Sequence, residues 1–248
     1  MEEIVEKSAV IVGPIPFSQD GEYIFAPLSK EFVTIEKLIK TISQKGIPLV
    51  ASVVPQATRQ ICEQKNVKYY DLYEREELAI LNAIPTAEGA VAIAIEKMPI
   101  TLYSSNVMVL GYGRIGKVLS KILKGFECNV FVAARKASDL TWCRAFGYVP
   151  VELSKLKEYV NRIDLIVNTI PAKVIGREII DNIREDALVI DLASKPGGIA
   201  FEYANQKGIN VVHALSLPGK VSPKKAAQYI VEVLVSLLKE LEGDKIES

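Results

Sequence analysis

The chain has 248 residues, and 30 Lys plus Arg against 30 Asp plus Glu leave it formally neutral. That balance excludes the electrostatic footprint of a nucleic-acid or anionic-membrane binder, while 49% apolar and 24% charged residues exclude a disordered chain. No apolar run reaches the roughly 18 residues of a membrane span. The acidic start MEEIVEKSAV lacks a secretory layout. Three widely spaced Cys (Cys62, Cys128, Cys143) fit buried thiols in a reducing, cytoplasmic setting, and a lone His213 excludes a His-rich metal site.

In chain order, Ala9–Gly13 reads as a strand ended by Gly13-Pro14-Ile15-Pro16. Phe32–Ser43 places Phe32, Ile35, Leu38, Ile39 and Ile42 at helical spacing, with Gly46 just beyond. Pro48–Val54 is a strand, Ala57–Lys65 a helix and Val67–Tyr70 a short strand. This βαβ rhythm implies a parallel sheet covered by helices. Asp71–Ile84 is expected to be a helix broken by Pro85. Thr86 then caps a second helix, Ala87–Lys97, apolar on nearly all sides and so expected to be buried at a junction of domains.

Beyond Pro99 the rhythm restarts. Strands are expected at Val107–Leu110, Asn129–Ala134, Asp164–Asn168, Ala187–Asp191 and Asn210–His213. Helices are expected at Arg114–Gly125, Ala137–Phe146, near Arg177–Ile183 and at Phe201–Lys207. Pro223–Leu241 forms a long amphipathic helix whose apolar stripe must pack on the N-terminal domain or on a second copy. The expected domains are 1–84, a junction helix at 85–99, a dinucleotide-binding domain at 100–222 and the C-terminal helix at 223–242.

The most informative motif is Gly111-Tyr112-Gly113-Arg114-Ile115-Gly116, a G-x-G-x-x-G between a strand and a helix. Gly111 permits the turn, Gly113 lets the backbone approach a pyrophosphate at the helix N-terminus, and Gly116 allows close helix–strand packing. The next strand ends Ala134-Arg135-Lys136, about 20 residues past Gly116, where an NAD site carries an acid. Arg135 could clamp a 2′-phosphate with forked, charge-assisted bonds, and Lys136 adds charge, so NADP is expected over NAD. The other reading is two solvated cations at a strand end.

Asn168, Thr169, Ile170 and Pro171 leave a strand end where the nicotinamide side would lie; a plain strand exit fits equally well. Asp191–Gly198 (DLASKPGG) and Ser216–Val221 (SLPGKV) each pair Pro-Gly turn chemistry with a lysine. Lys195 and Lys220 could neutralise an acidic substrate, or act as a base if desolvated, or be solvated turn residues. Thr86 and Glu88 either face the cleft or merely cap a helix. Val53-Val54-Pro55-Gln56, Arg59 and Gln60 could add a weak second wall. His213, alone in an apolar strand, reads as a core or strand-end residue rather than a proton shuttle.

Taken together, Ile84–Ala94 (IPTAEGAVAIA), Val109–Gly116 (VLGYGRIG), Val132–Lys136 (VAARK), Asn168–Ala172 (NTIPA), Asp191–Gly198 and Leu217–Pro223 (LPGKVSP) resemble the dipicolinate synthase A-subunit family. The resemblance runs from about residue 45 onward. It implies an α/β architecture of two doubly wound parallel-sheet domains, flavodoxin-like first and a Rossmann dinucleotide-binding fold second. It also implies a sporulation-linked activity. With the flavoprotein-like B subunit of dipicolinate synthase, dihydrodipicolinate is oxidised to pyridine-2,6-dicarboxylate. Family members begin with an extra strand bearing a Gly-Gly-Asp turn, so the N-terminal domain is expected to be shortened.

On that resemblance NADP binds at Gly111–Gly116, Ala134, Arg135, Lys136 and Asn168–Pro171. Ser194, Lys195, the Gly197 and Gly198 amides, Thr86, Pro218 and Gly219 face the small dicarboxylate substrate. The base is Lys195, Lys220 or a water held by Glu88. An oligomer of this chain is expected, and no metal. The rival readings are another two-domain NAD(P) dehydrogenase, shikimate- or hydroxyacid-dehydrogenase-like, and a non-catalytic NADP-binding subunit.

Overall fold

The computed structural model describes residues 2–243. The chain divides into one unit made of the residues up to Ala79 together with those from Tyr229 onward, and a second made of Ile80–Gln228.

The first unit holds α1 (Glu2–Glu6), β1 (Ile11–Val12), α2 (Ile35–Ser43), β2 (Leu49–Ala51), α3 (Gln56–Gln64) and β3 (Tyr69–Asp71). The three strands form a parallel sheet in the order β1-β2-β3, with Ile11 opposite Leu49 and Val50 opposite Tyr70. The helix expected from Phe32 starts at Ile35. Thr34 accepts the Lys37 N–H as N-cap, and Phe32 is left exposed. Ile35, Leu38, Ile39 and Ile42 of α2 pack with Leu49, Phe17 and Cys62 in one core.

From Glu76 the chain runs as a single helix, α4 (Glu76–Lys97), with Pro85 inside it. The expected break at Pro85 and the capping role of Thr86 are therefore corrected. Proline removes one N–H but leaves the helix intact where packing holds it, and the Thr86 hydroxyl donates to Asn82 O at 2.7 Å. By length and composition α4 could pass for a membrane-crossing helix; Ala87, Ala90, Val91 and Ala94 are buried in the core of the second unit.

The second unit continues with β4 (Asn106–Leu110), α5 (Arg114–Gly125), β5 (Asn129–Ala134), α6 (Ala137–Ala145) and β6 (Val149–Glu152). It goes on through β7 (Leu165–Asn168), α7 (Arg177–Ile180), β8 (Leu188–Asp191), α8 (Phe201–Gln206), β9 (Asn210–His213) and α9 (Leu217–Val221). α10 (Pro223–Gly243) begins here and ends in the first unit. Two short 3-10 stretches, Leu153–Glu158 and Val160–Arg162, join β6 to β7.

The six strands are all parallel, in the order β6-β5-β4-β7-β8-β9. Side chains alternate across them. Val107, Val109, Val132 and Val167 face one layer with Leu119 and Leu123 of α5; Met108, Leu110, Phe131 and Ile166 face the other with Ile175 and Ile180. Burial on both faces explains why these strands read as continuous apolar runs. The strand order reverses between β4 and β7, where an open α/β sheet leaves its ligand crevice.

Two expectations fail here. β6, with Pro150 inside it, lies outside the expected strands. An edge strand tolerates proline, and Pro150 pairs in register with Val132. The segment after β9, expected as a loop, holds one short helix, Leu217–Val221, with Pro218 in its first turn, where a missing N–H costs nothing.

Candidate functional site

The site grows from the reversal point. Gly111 N–H bonds Ala133 O, and Thr169 N–H bonds Leu110 O, so the ends of β4, β5 and β7 are tied together. Gly111 has φ +95°, and a Cβ there would lie 2.6 Å from Thr169 Oγ1. A Cβ on Gly116 would lie 2.1 Å from Gly111 O, so only glycine lets α5 approach the turn. At Gly113, the N-cap of α5, a Cβ would meet nothing within 4 Å. The exposed backbone at that helix N-terminus is thus open to an anion.

Beside this turn lies a pocket of about 300 Å³. Gly111, Tyr112, Gly113, Ala134, Arg135, Lys136 and Ile170 line it, all expected from the sequence, with Lys117 and Asp139 in addition. Three cations against one acid make it net positive. The residues fit a nicotinamide dinucleotide: an open glycine cradle, a helix N-terminus and cations at the end of β5.

Tyr112 is buried against Tyr148, and burial raises its phenol pKa to about 12. Ile115 packs against the core and Arg114 opens α5 on its exposed side. Lys117 and Asp139 escaped notice because both lie on helices, beyond the strand-end positions that the motif specifies.

Asn168 and Thr169 do not line the ligand side through their side chains. Asn168 is fully buried; its Nδ2 donates to Asp191 Oδ1 at 2.8 Å and to Ile170 O at 3.1 Å. The Thr169 hydroxyl donates to Leu110 O at 2.8 Å. Both brace the crevice from behind. Pro171 instead joins Pro196, Gly197, Lys173 and Arg177 around a separate cavity of about 490 Å³.

Asp191, at the end of β8, organises the DLASKPGG loop. Its buried carboxylate accepts Asn168 Nδ2, the Ala193 N–H at 3.1 Å and the Gly198 N–H at 2.7 Å. A buried carboxylate needs such donors. The acid heading an apolar strand exit was the signal for it. A Cβ on Gly197 would lie 2.7 Å from Asp191 Oδ2, and one on Gly198 would lie 2.1 Å from Asn168 Nδ2. The Gly197 N–H donates to Ser194 O. Neither glycine amide is therefore free for a substrate carboxylate, which corrects that expectation. Ser194 and Lys195 remain, both exposed. His213 Nε2 lies 3.1 Å from Ala193 O, so the Nε2–H tautomer braces the same loop.

Glu88 and Lys220 are exposed, on α4 and α9. Gly89 sets those helices together, since a Cβ there would lie 3.1 Å from Leu217. Pro218 and Gly219 lie on α9, and Thr86 is half-buried. Among the described residues Glu88, Lys195 and Lys220 make no ion pair with one another. In the first unit, Arg59 is held by Asp71 at 3.0 Å and by Glu74, while Asp71 also accepts the Val53 and Val54 N–H groups. That strand exit is occupied by its own side chains. Burial raises Cys62 and Cys143 to about 11 and Cys128 upward, so the thiols stay protonated.

These features define an α/β protein with a dehydrogenase-type dinucleotide-binding unit. Residues 1–73 match the N-terminal domain of the dipicolinate synthase A subunit, and 86–194 match the NAD binding domain of D-isomer specific 2-hydroxyacid dehydrogenases. The crystal structure of dipicolinate synthase, A chain, from Bacillus subtilis superposes with TM-score 0.89 at 33% identity, covering 95% of this chain and 79% of that one. The crystal structure of the A subunit from Bacillus halodurans gives 0.85 at 32% identity, covering 94% and 80%. The chain belongs to the dipicolinate synthase A-subunit family. The dipicolinate synthase A subunit of Bacillus subtilis (strain 168) is 38% identical over 185 residues, a match that covers 75% of this chain and 62% of that relative.

Proposed function

We propose that this chain is an oxidoreductase subunit that oxidises dihydrodipicolinate to pyridine-2,6-dicarboxylate for spore formation, using NADP and acting with a flavoprotein-like B subunit. The observation that carries the reading is the net-positive pocket at the strand reversal, where Arg135 and Lys136 stand at the position of the NAD-selective acid. The glycine turn and the α5 N-terminus would hold the pyrophosphate, and Arg135 with Lys136 the 2′-phosphate. When bound, NADP supplies the hydride acceptor; the substrate gives up one hydride and one proton and becomes aromatic.

The chain's own residues have two tasks. Lys195 and Ser194 hold a substrate carboxylate, on a loop fixed by Asp191. One of Lys195, Lys220 or a water on Glu88 takes the ring proton, with Thr86, Pro218 and Gly219 on the substrate side. Copies of the chain associate as an oligomer.

The test generates dihydrodipicolinate in situ and follows reduced cofactor and pyridine dicarboxylate together. Product formed with NADP⁺, and lost in Lys195→Ala, supports the reading. NADPH binding without product, unaltered by Lys195→Ala and by the added B subunit, overturns it in favour of a non-catalytic nucleotide-binding protein.

A further inference from the structure

The groove between α5 and α6 carries a cluster that the proposed reaction does not use. Trp142 on α6 and Phe146, which caps the C-terminus of that helix, stand one turn apart, with centroids 5.5 Å apart and ring planes inclined by 17°. They are 57% and 56% exposed. Tyr148 lies 6.2 Å from the Phe146 ring and 6.4 Å from the Tyr112 ring, so four aromatic rings run inward from the surface. Lys117 and Lys121, one turn apart on α5, complete a cavity of about 530 Å³. The Lys117 ammonium sits 5.8 Å from the Tyr112 ring. Among the described residues neither lysine has an acidic partner.

Two chemistries meet in this groove. Large aromatic faces left in water favour a flat π-system that covers them. Two ammonium groups line the groove, whose lining holds no acid. Asp139 lies in the adjoining pocket with Lys117, and the balance of one acid against two cations favours negative charge on that ligand. Burial raises the pKa of both phenols, so no phenolate opposes an anion. A symmetric contact with a second copy would set each lysine pair against its own image, which disfavours that occupant.

We propose that this groove binds a flat aromatic carboxylate dianion, and that its occupancy is felt at the dinucleotide pocket through Tyr112 and Lys117, which line both cavities. The pyridine dicarboxylate of the proposed reaction belongs to this class. To that extent the inference rests on that reading, and the groove becomes a place where product acts on cofactor binding.

Trp142 is the chain's one tryptophan, so its emission reports on the groove directly. The full chain is titrated with pyridine-2,6-dicarboxylate, with benzene-1,3-dicarboxylate, and with the aliphatic dianion pentanedioate. The expected result is a saturable change with both aromatic ligands and none with pentanedioate. Lys121→Ala and Phe146→Ala should each weaken binding about 10-fold, and saturating NADP⁺ should shift the apparent Kd about threefold or more, reciprocally.

Four results overturn the site: no saturable change, equal response to pentanedioate, affinity untouched in both variants, or emission that depends on protein concentration without ligand. An affinity indifferent to NADP⁺ overturns the coupling. No turnover enters the measurement, so a failed activity assay beside a saturable Trp142 response overturns the reaction and leaves the site standing.

Discussion

Arg135 and Lys136 are exposed cations at the end of a strand whose preceding five residues are buried, and among the described residues neither makes an ion pair that the fold would need. If they hold a 2′-phosphate, Arg135→Ala removes charge-assisted bonds of about 1.5–3 kcal/mol. The expected result is an NADP Kd raised about 10- to 100-fold, with NAD binding nearly unchanged, read by calorimetry. Equal losses for both cofactors would count against the assignment. Asp191 is the opposite case, a buried acid whose charge the fold does need. Asp191→Asn sets an amide NH₂ against backbone donors and should destabilise the protein by about 2–3 kcal/mol, seen as a lower denaturant midpoint at unchanged slope. Lys195 should lose its placement in the same variant. The glycine turn and the β5 cations were legible because their positions follow from strand–turn–helix geometry. Asp191 stood out only as an acid ending an apolar strand; its bonds to the loop and the inward turn of Asn168 were not legible, because which polar side chain a loop uses to satisfy itself is a three-dimensional fact.

Among elements, α5, β5 and β9 stand where the sequence placed them, since strong periodicity and glycine punctuation agree there. The elements that differ from expectation each hold a proline: α4 continues through Pro85 where a break is expected, β6, with Pro150, lies outside the expected strands, and the Pro-Gly turn expected at Pro218 is the helix α9. Each survives for its own reason, namely core packing, an edge position and a helix start. Packing of α4 can be tested at Gly89. A side chain there must displace Leu217, so Gly89→Val should cost about 1–3 kcal/mol and loosen α9 with Lys220, detectable as faster amide exchange across 217–221. The end of α10 is held differently. Arg75 grips Glu240 through both carboxylate oxygens, at 2.8 and 2.7 Å. The Arg75 hydrogen bond holds Glu240 below its ordinary value of 4.5. A depressed folded pKa means this contribution is present above pH 4.5 and fades as pH falls through the lowered value. Protection of the last turns of α10 should therefore drop below pH 4.5 in the native chain. In Arg75→Ala it should be weak at every pH and lack that step; a step of equal size in the variant would assign the effect elsewhere. The Glu240 side chain is half exposed and Arg75 about a quarter exposed, so solvent screens the pair and the effect is local.

For the whole molecule, every residue of the dinucleotide pocket and Trp142 belong to the second unit, which has its own core on both faces of its sheet. A ligand bound there stabilises that unit by RT ln(1 + [L]/Kd), about 2.7 kcal/mol at a hundredfold excess over Kd. For a unit of this size that is a rise of roughly 5–10 °C in Tm, followed by Trp142 fluorescence. Gly113→Val separates binding from folding. A Cβ there meets nothing within 4 Å and φ is −81°, so the ligand-free transition should stay within about 1 °C of the parent. The added side chain would stand where the backbone must approach a pyrophosphate, so the ligand-induced rise should vanish. Gly116→Ala should instead lower the ligand-free transition, because its Cβ would press on Gly111 O at 2.1 Å. If Gly113→Val keeps the full rise with NADP, the anion does not lie on the α5 N-terminus, and the pocket beside it holds some other group.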